Sequence, residues 1–564
     1  MSRVASAASL QLLQTDSRLD SRPRPTNHTT PLRERVTAMA ANSDVDAVDV
    51  VIVGGGPTGL FTGLLLQRLG ASVCIIDAKP KSLDLGRADA LNARTQQYFE
   101  VAELLDELLP LGLKCNTSST FGDGEFKSRQ SEWWVSLEHA LHKNFLMIGQ
   151  PVVEEILSNK LRGFVHYGEQ AVSVTEDDGA VEVVTSSGRR VRGTYAVGAD
   201  GARSMVRREM AVAFTGTKPE MLWAVLDTFI DTDFPVCPEI VTFQLDGQAR
   251  VSWIPRERGM CRFYVLLDGE VTQARAEDSI RKHLAPYRIE FKKTEWYSTF
   301  DGMSASPERI ASSFISRDGA GRIILAGDAA HVHSVNGGQG LNTGIADAFS
   351  LAWRLANAVT NPNMKAGAAG KLIRSYDIER RSTAQGVIDV AAALVRDTVR
   401  PAKTYVGTIQ KNAGYITGMG VSYHDSNSPL IKASEHGIWK AGYRCPDVIL
   451  ESEAKGSTRL YTEATYGKYL VLFIGNHQHA GLGHEDVAVP YQILPLDESE
   501  AAQTNGHTSE NGTRATNGTT SKSFQAAWVR PEDSIVVVVR PDMYVGYVGQ
   551  DAESCKQYLD DLYN

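Results

Sequence analysis

The chain has 564 residues, of which 42% are hydrophobic and 22% are charged, and its formal net charge is −9. At roughly 150 residues per domain, this length predicts several domains, and the ordinary apolar fraction excludes a wholly disordered or fibrous protein. The acidic balance argues against a nucleic-acid partner, which would select a basic surface.

The six cysteines are dispersed without a C-x-x-C pair, so the sequence predicts neither a disulfide scaffold nor a zinc site. No window reaches the roughly 18 apolar residues of a membrane-spanning helix. The first 46 residues carry six arginines among many serines and threonines, and they lack the apolar core of a secretory signal. We predict a disordered tail on a cytoplasmic protein. A mitochondrial presequence and a start codon placed upstream of Met39 are the alternatives.

The first predicted element is a buried strand at residues 50–53, followed by Gly54-x-Gly56-x-x-Gly59, a helical stretch and a second strand that ends at Asp77. In such a βαβ unit the first glycine permits a tight turn. The second glycine lets a pyrophosphate approach the backbone, and the third lets the helix pack on the strand. The N–H groups at the helix start attract phosphate, and Asp77 can accept hydrogen bonds from a ribose. The pattern predicts one permanent dinucleotide site.

Alternating apolar residues at 172–197 predict an antiparallel meander that closes on a segment containing Asp200. A second β-rich region has strands at 241–245, 250–254 and 262–267, with a hairpin signal at Asp246-Gly247. A buried strand at 322–326 then leads into Gly327-Asp328, a glycine-rich turn and a helix at 346–359. By itself the Asp200 segment also fits an ordinary turn. The Asp328 segment fits either a capped strand–turn–helix or a site for a polyol and an anion.

The last part of the sequence predicts a separate domain from about residue 434, with strands at 470–474 and 535–539. Residues 498–523 contain no Val, Ile, Leu, Met or aromatic residue, which predicts a disordered insertion. Because this region has no paired cysteines, we expect packing or dimerisation from it rather than thiol–disulfide chemistry.

Together, the three ordered motifs within about residues 49–400 resemble the FAD-dependent aromatic hydroxylases, the class A flavoprotein monooxygenases. The Asp200 segment matches the family's Asp-Gly motif, and the Asp328 segment matches its Gly-Asp motif. Finer features resemble the phenol hydroxylase (phenol 2-monooxygenase) branch, particularly its fungal members. Those features are Gly86-Arg87-Ala88-Asp89, Pro255-Arg256-Glu257, Arg262-Phe263-Tyr264 and Gly442-Tyr443-Arg444-Cys445-Pro446-Asp447.

The resemblance implies an α/β fold. A Rossmann-type FAD-binding domain (47–215 and 301–400) would be interleaved with a β-sheet substrate domain (216–300), followed by a linker (401–433) and a thioredoxin-like domain (434–564). It implies FAD as cofactor, with NADPH and dioxygen as co-substrates, and we expect a homodimer. The implied FAD contacts are Gly54, Gly56 and Gly59 at the pyrophosphate, Asp77 at the adenosine ribose, Gln150 and Asp328 at the ribityl chain, Asp200 near the pyrophosphate, and the N–H groups of Gly340, Leu341 and Asn342 at the flavin N1–C2 carbonyl.

The reaction implied by the resemblance is hydroxylation of a phenolic ring, ortho to its hydroxyl, through a flavin hydroperoxide. Asp89 and Tyr264 would accept or relay the phenol proton, and Arg256 would stabilise phenolate charge or bind a substrate carboxylate. Without the resemblance, Asp89 fits a helix cap or a surface ion pair, and Tyr264 fits a core position. We expect no metal site. One position departs from the family, because Val335 stands where it usually has proline.

Other activities remain open at this level. The same fold supports epoxidation, Baeyer–Villiger insertion and dearomatising oxidation of a polyketide-type ring. A two-electron flavin dehydrogenase and a non-catalytic flavin-binding scaffold are further alternatives. The motifs do not distinguish among these, and they do not name the aromatic substrate.

Overall fold

The structure is a computed structural model that describes residues 45–131, 139–177, 179–217, 222–235, 238–300, 308–334, 337–365, 367–398, 400, 402–476, 482–496 and 522–563. The predicted N-terminal tail lies outside these ranges up to residue 44, and residues 45 and 46 already belong to the first strand, Val45–Val53. Most of the predicted insertion also lies outside them. Its last two residues begin the strand Lys522–Ala526.

The first sheet is built around the strand Val45–Val53, which pairs in parallel with a strand on either side. Its apolar residues Val50, Val51 and Ile52 are fully buried, as expected of a parallel strand covered on both faces. The predicted βαβ unit and the antiparallel meander are both confirmed. The strand order is Val165–Tyr167, Val73–Asp77, Val45–Val53, Arg190–Gly198, Val181–Thr185 and Ala171–Glu176, and Ile323–Leu325 also pairs with Arg190–Gly198.

Helices cover this sheet. The helix Pro57–Arg68 buries Leu60, Phe61 and Leu65 and packs on the long helix Gln339–Thr360. The helix predicted at 346–359 is therefore confirmed and begins seven residues earlier, at the glycine-rich turn. A third helix, Gln150–Lys160, packs on Pro57–Arg68.

The second sheet contains the predicted strands of the 216–300 region and strands from elsewhere. Ser118–Gly122 and Glu125–Ser131, which come from the predicted FAD-binding segment, join its edge through a parallel pairing with Ile240–Leu245. At the predicted hairpin, Asp246 and Gly247 both have positive φ, as a tight hairpin turn requires. The strand order is Ile289–Phe300, Leu222–Thr232, Cys261–Leu267, Gln248–Pro255, Ile240–Leu245, Ser118–Gly122 and Glu125–Ser131, and the helix Gln273–Leu284 packs against it.

The C-terminal sheet has the predicted strands at its centre, where Tyr469–Gly475 pairs antiparallel with Ser534–Val539. The predicted linker at 401–433 contains the helices Ala402–Lys411 and Ala413–Ile416, so part of it is regular structure. That this region is thioredoxin-like stays a prediction. The strand order is Gly456–Arg459, Ile449–Ser452, Lys522–Ala526, Ala488–Pro495, Tyr469–Gly475, Ser534–Val539 and Val545–Gly549, and the helix Ala552–Tyr563 follows.

The remaining elements lie outside these three seven-stranded sheets. In the described part of the chain, no helix has the length and apolar character needed to cross a membrane. The remaining helices are Ala93–Val101, Leu105–Leu108, Met205–Glu209, Ser316–Gly319, Ala368–Thr398 and Leu460–Glu463, with 3-10 turns at Leu109–Leu111, Glu257–Gly259 and Gly327–Ala329. The remaining strands are Ala90–Leu91, Leu113–Cys115, Phe145–Met147, Phe214–Thr217, Glu308–Ala311, His331–Val332, Glu435–His436 and Trp439–Lys440.

Candidate active site

The three sequence motifs meet at one edge of the first sheet. Val53 pairs with Gly198, and Gly198 pairs with Leu325, so three neighbouring parallel strands end side by side. The glycine turn, the Asp200 segment and the Asp328 segment each follow one of these strand ends. Ligands of open parallel sheets bind at this carboxyl edge. We call Gly54, Gly56, Gly59, Asp200 and Asp328 the flavin cradle.

The three glycines of the cradle differ in what a side chain at each position would contact. Gly54 has φ +115°, and a Cβ there would lie 2.2 Å from the carbonyl oxygen of Ala199. A Cβ on Gly59 would lie 1.9 Å from the carbonyl oxygen of Gly54. A Cβ on Gly56 would meet nothing within 4 Å among the described residues. The first and third glycines are therefore required by the protein's own packing, whereas Gly56 leaves open space at the start of the helix Pro57–Arg68.

Asp77 holds the glycine turn in place. It is buried at the end of its strand, and its carboxylate accepts hydrogen bonds from the backbone N–H of Gly55 and, at 2.6 Å, from that of Lys79. The residue thus clamps the turn from the neighbouring strand, a contact that the sequence pattern did not predict.

The two aspartates of the cradle are bound differently. Asp200 Oδ2 accepts from the N–H groups of Met205 at 2.7 Å and Val206 at 3.1 Å, which caps the short helix after it. Its Oδ1 is buried and makes no hydrogen bond to any described residue. Asp328 is surrounded by protein on most sides, yet its side chain is exposed, so it lines a concave surface. Desolvation raises the pKa of both carboxyl groups.

The N-terminus of the helix Gln339–Thr360 supplies backbone N–H groups without helical partners, as every helix start does. Gly340, Leu341 and Asn342 lie in this first turn. The Asn342 side chain makes two further hydrogen bonds to the segment after Asp89. It accepts from the N–H of Asn92 at 2.8 Å and donates to the carbonyl of Ala90 at 3.0 Å, so it ties the helix to the segment after Asp89. Val335 lies outside the described residues.

Four buried charged side chains and one partly buried tyrosine lie where the Asp89 loop meets the second sheet. We call Asp89, Asp227, Arg256, Arg262 and Tyr264 the charged cluster. The loop approaches the sheet closely at Gly86, which has φ +78°. A Cβ at this position would lie 2.2 Å from the ring of Trp296, so a side chain would prevent the approach. The carbonyl of Arg87 accepts a hydrogen bond from Arg262 Nη1. Gln150 supports the same loop, since its N–H donates to the carbonyl of Ala88 at 2.9 Å.

Arg262 is the centre of the charged cluster, and sequence reasoning missed its role. It is fully buried and pairs with both oxygens of Asp227 at 2.6 Å. Its Nη1 lies 3.4 Å from the Tyr264 hydroxyl and 3.5 Å from Asp89 Oδ2. An arginine two residues from Tyr264 on one strand faces the same side, so that spacing was a usable signal. Asp227, an acid directly after the apolar run 222–226 of the strand Leu222–Thr232, was another.

Arg256, the predicted active-site arginine, is already occupied. Its guanidinium makes two hydrogen bonds to Glu257, at 2.7 and 2.9 Å, and lies 3.2 Å from Asp227. Burial by itself lowers the pKa of Arg256, but the hydrogen bonds to Glu257 and the charge of Asp227 outweigh it and leave the pKa raised. Arg256 therefore supports Asp227, and among the described residues no hydrogen bond or ion pair joins it to Asp89 or Tyr264.

Asp89 is left with an unsatisfied oxygen. Its side chain is only 5% exposed, and Oδ2 makes no hydrogen bond to any described residue, since the ion-pair distance to Arg262 is long. A buried acceptor without a donor is costly and calls for a partner. Tyr264 is held in its protonated form, because burial and then the negative charge of Asp89 raise its pKa.

Comparison with known proteins agrees with this geometry. Residues 47–391 match the model of the FAD binding domain family. A phenol 2-monooxygenase of Aspergillus fumigatus is 28% identical over 474 residues, 77% of each chain. A 3-hydroxybenzoate 4-monooxygenase of Comamonas testosteroni is 30% identical over 63% of this chain and 61% of its own length. The solved anhydrotetracycline hydroxylase of Streptomyces rimosus superposes with a TM-score of 0.69 at 23% identity, covering 92% of this chain and 99% of that one. The chain belongs to the FAD binding domain family and is an FAD-dependent monooxygenase.

Proposed function

We propose that this monooxygenase hydroxylates a phenolic ring ortho to its hydroxyl group and consumes NADPH and dioxygen. The observation that carries the proposal is the buried, unsatisfied Oδ2 of Asp89 beside Arg262 and the Tyr264 hydroxyl. A phenol offers the O–H donor that this oxygen lacks. Relatives named for their action on phenol and on a hydroxybenzoate support a phenolic substrate.

The cradle fits FAD. Gly56 leaves open space where a diphosphate can approach the N-terminus of its helix, and Gly54 and Gly59 keep the turn tight. Asp77 would hold the adenosine ribose, while the N–H groups of the helix that begins at Gln339 would face the flavin ring. Asp328 of the cradle is exposed, and the orphaned Oδ1 of Asp200 can accept a further donor. When bound, FAD supplies the redox and oxygen-transfer chemistry.

The charged cluster then acts on the substrate's proton. Asp89 Oδ2 accepts the phenolic hydrogen, and removing that proton makes the ring more electron-rich at the ortho carbon. The guanidinium of Arg262 stabilises the negative charge that remains on the phenolate oxygen. Tyr264 stays protonated, and its O–H can donate to the same oxygen. The low exposure of Asp89 and Arg262 keeps water away from the reacting ring.

The test is Asp89→Asn in the FAD-loaded enzyme, with NADPH oxidation, oxygen uptake and product mass followed against a panel of phenols. Asparagine keeps the shape but cannot accept the proton as a base. We expect product formation to fall by about two orders of magnitude, in the range typical of a lost general base. The FAD content and the rate of flavin reduction should stay close to those of the parent enzyme.

Glu295→Gln is the matched control. Glu295 is an acid of the same sheet, next to Trp296, but its partners are Arg258 and Lys293, and no described hydrogen bond or ion pair joins it to Asp89. Its replacement should leave hydroxylation unchanged. Equal loss in both variants, or full hydroxylation by Asp89→Asn, would refute the proposed base. A product without an added oxygen atom across the panel would refute phenol hydroxylation itself.

A further inference from the structure

One buried carboxylate holds the turn that carries Asp328 in place. Asp347, in the helix Gln339–Thr360, is fully buried. It accepts from the backbone N–H of Gly327 at 2.9 Å and from the His331 ring at 2.7 Å. Its other oxygen accepts from Arg380 Nε at 2.7 Å. The orientation of Asp347, and with it the position of the turn, therefore depends on where Arg380 lies.

The residue before Arg380 faces the C-terminal sheet. Arg380 and Glu379 are neighbours in the helix Ala368–Thr398. Glu379 receives both Nη atoms of Arg540 at 2.7 Å, and Arg354 Nη2 at the same distance. Arg540 directly follows the strand Ser534–Val539 of the C-terminal sheet, and it also donates to Asp542 at 2.6 Å.

These ion pairs are completely removed from water. Glu379, Arg354 and Arg540 are each 0% exposed, and Asp542 is 1% exposed. Removing one partner of such a pair leaves a buried charge without compensation, so the surrounding elements must move or admit water. The helix Ala368–Thr398 is thus paired with Arg540 of the C-terminal region through Glu379, and through Arg380 with Asp347, which in turn holds Gly327.

We propose that the C-terminal region sets the position of the Gly327–Asp328 turn, and thereby the affinity for FAD, through Glu379 and Arg380. On this view Arg540 and Asp347 are positioning residues, because neither is argued to touch the cofactor. The inference depends on the flavin cradle and is independent of the aromatic substrate, so failure of phenol hydroxylation would leave it standing.

The test is titration of the apoprotein with FAD for Arg540→Gln, Asp347→Asn and the double variant. We expect each single substitution to raise the Kd for FAD on the order of tenfold, a typical coupling between sites. The double variant should be little worse than Asp347→Asn alone, because both changes act through one chain of contacts. If Arg540→Gln does not fold, Arg540→Lys, which loses only the two-pronged pairing, is measured in the same way.

Arg459→Gln is the matched control. Arg459 also joins the C-terminal region to the flavin side, through Asp447 and Glu100, but its contacts do not lead to Gly327. It should lower thermal stability without raising the Kd for FAD.

Amide hydrogen exchange gives a readout without FAD. Peptides covering residues 323–331 should exchange faster in the apoprotein of the Arg540 variants and at the parent rate in Arg459→Gln. Equal Kd changes in the Arg459 and Arg540 variants, purely additive effects in the double variant, or parent-like exchange at 323–331 would each overturn the proposal.

Discussion

The flavin cradle and the charged cluster are built from different parts of the chain's chemistry. The cradle depends on backbone geometry, because its three glycines carry no side chains and the neighbouring Asp77 holds their turn. The cluster depends on side-chain charge, in which Asp89 and Asp227 lie beside the guanidinium groups of Arg256 and Arg262, and Glu257, outside the cluster, also pairs with Arg256. A site made of backbone is disrupted when a substitution adds side-chain atoms. A cluster of charges is destabilised when a substitution removes one charge and leaves its partner unpaired.

Gly59→Ala should have the largest effect. The added methyl would lie 1.9 Å from the carbonyl oxygen of Gly54, and neither backbone segment can move without breaking the turn. We expect a loss of more than about 5 kcal/mol in the free energy of unfolding, enough to leave little folded protein. Soluble yield and thermal melting of the apoprotein measure this.

Gly56→Ala sharpens the same comparison. Its methyl enters open space, so the apoprotein should melt like the parent while the Kd for FAD rises. If Gly56→Ala and Gly59→Ala destabilise the apoprotein equally, the distinction between packing glycine and ligand-facing glycine is wrong.

Asp227→Asn should be next in size. It leaves the fully buried Arg262 without its two-pronged partner, and breaking a buried ion pair from one side costs about 4 kcal/mol. Urea unfolding of the apoprotein checks this, with Asp231→Asn as the control. Asp231 lies in the same strand but at the surface, where it pairs with Arg288. A control variant as unstable as Asp227→Asn would show that the strand, and not the buried charge, is responsible.

The smallest effect is a pH dependence at His333, shortly before the helix Gln339–Thr360. Burial lowers the pKa of His333 to about 4, from an ordinary 6.5. Between these values the unfolded chain binds a proton that the folded chain does not, so stability is full above pH 6.5 and falls as the pH drops toward 4. From pH 7 to pH 5 this site should lose about 2 kcal/mol of unfolding free energy.

His333→Gln removes the titrating ring and should flatten that part of the pH profile in chemical denaturation. The Asp227→Asn variant should keep the parent slope. A parent-like slope in His333→Gln would place the acid sensitivity elsewhere in the molecule.

The difference between a site made of backbone and a cluster of side-chain charges also explains which residues could be predicted from the sequence. Gly54, Gly56 and Gly59 obey a local spacing rule, and their strand, turn and helix are contiguous, so the cradle could be found by inspection. Asp89 and Tyr264 were found only through a resemblance. Arg262 and Asp347 were missed because their partners lie elsewhere in the chain: Arg262 meets Arg87 across 175 residues, and Arg380 meets Asp347 across 33. A buried ion pair leaves no periodic pattern behind.

The strand Ser118–Gly122 lies between segments of the first sheet in sequence but belongs to the second sheet. The two sheets are therefore interleaved along the chain, which affects folding and the choice of truncations. Ser119 bonds Glu239 at 2.5 Å across 120 residues, and the first sheet is completed only by Ile323–Leu325. During synthesis, neither sheet can close until most of the flavin-binding region has left the ribosome. Such long loops slow folding. No contiguous fragment contains either sheet alone, so truncations that aim to isolate one of them should yield insoluble protein.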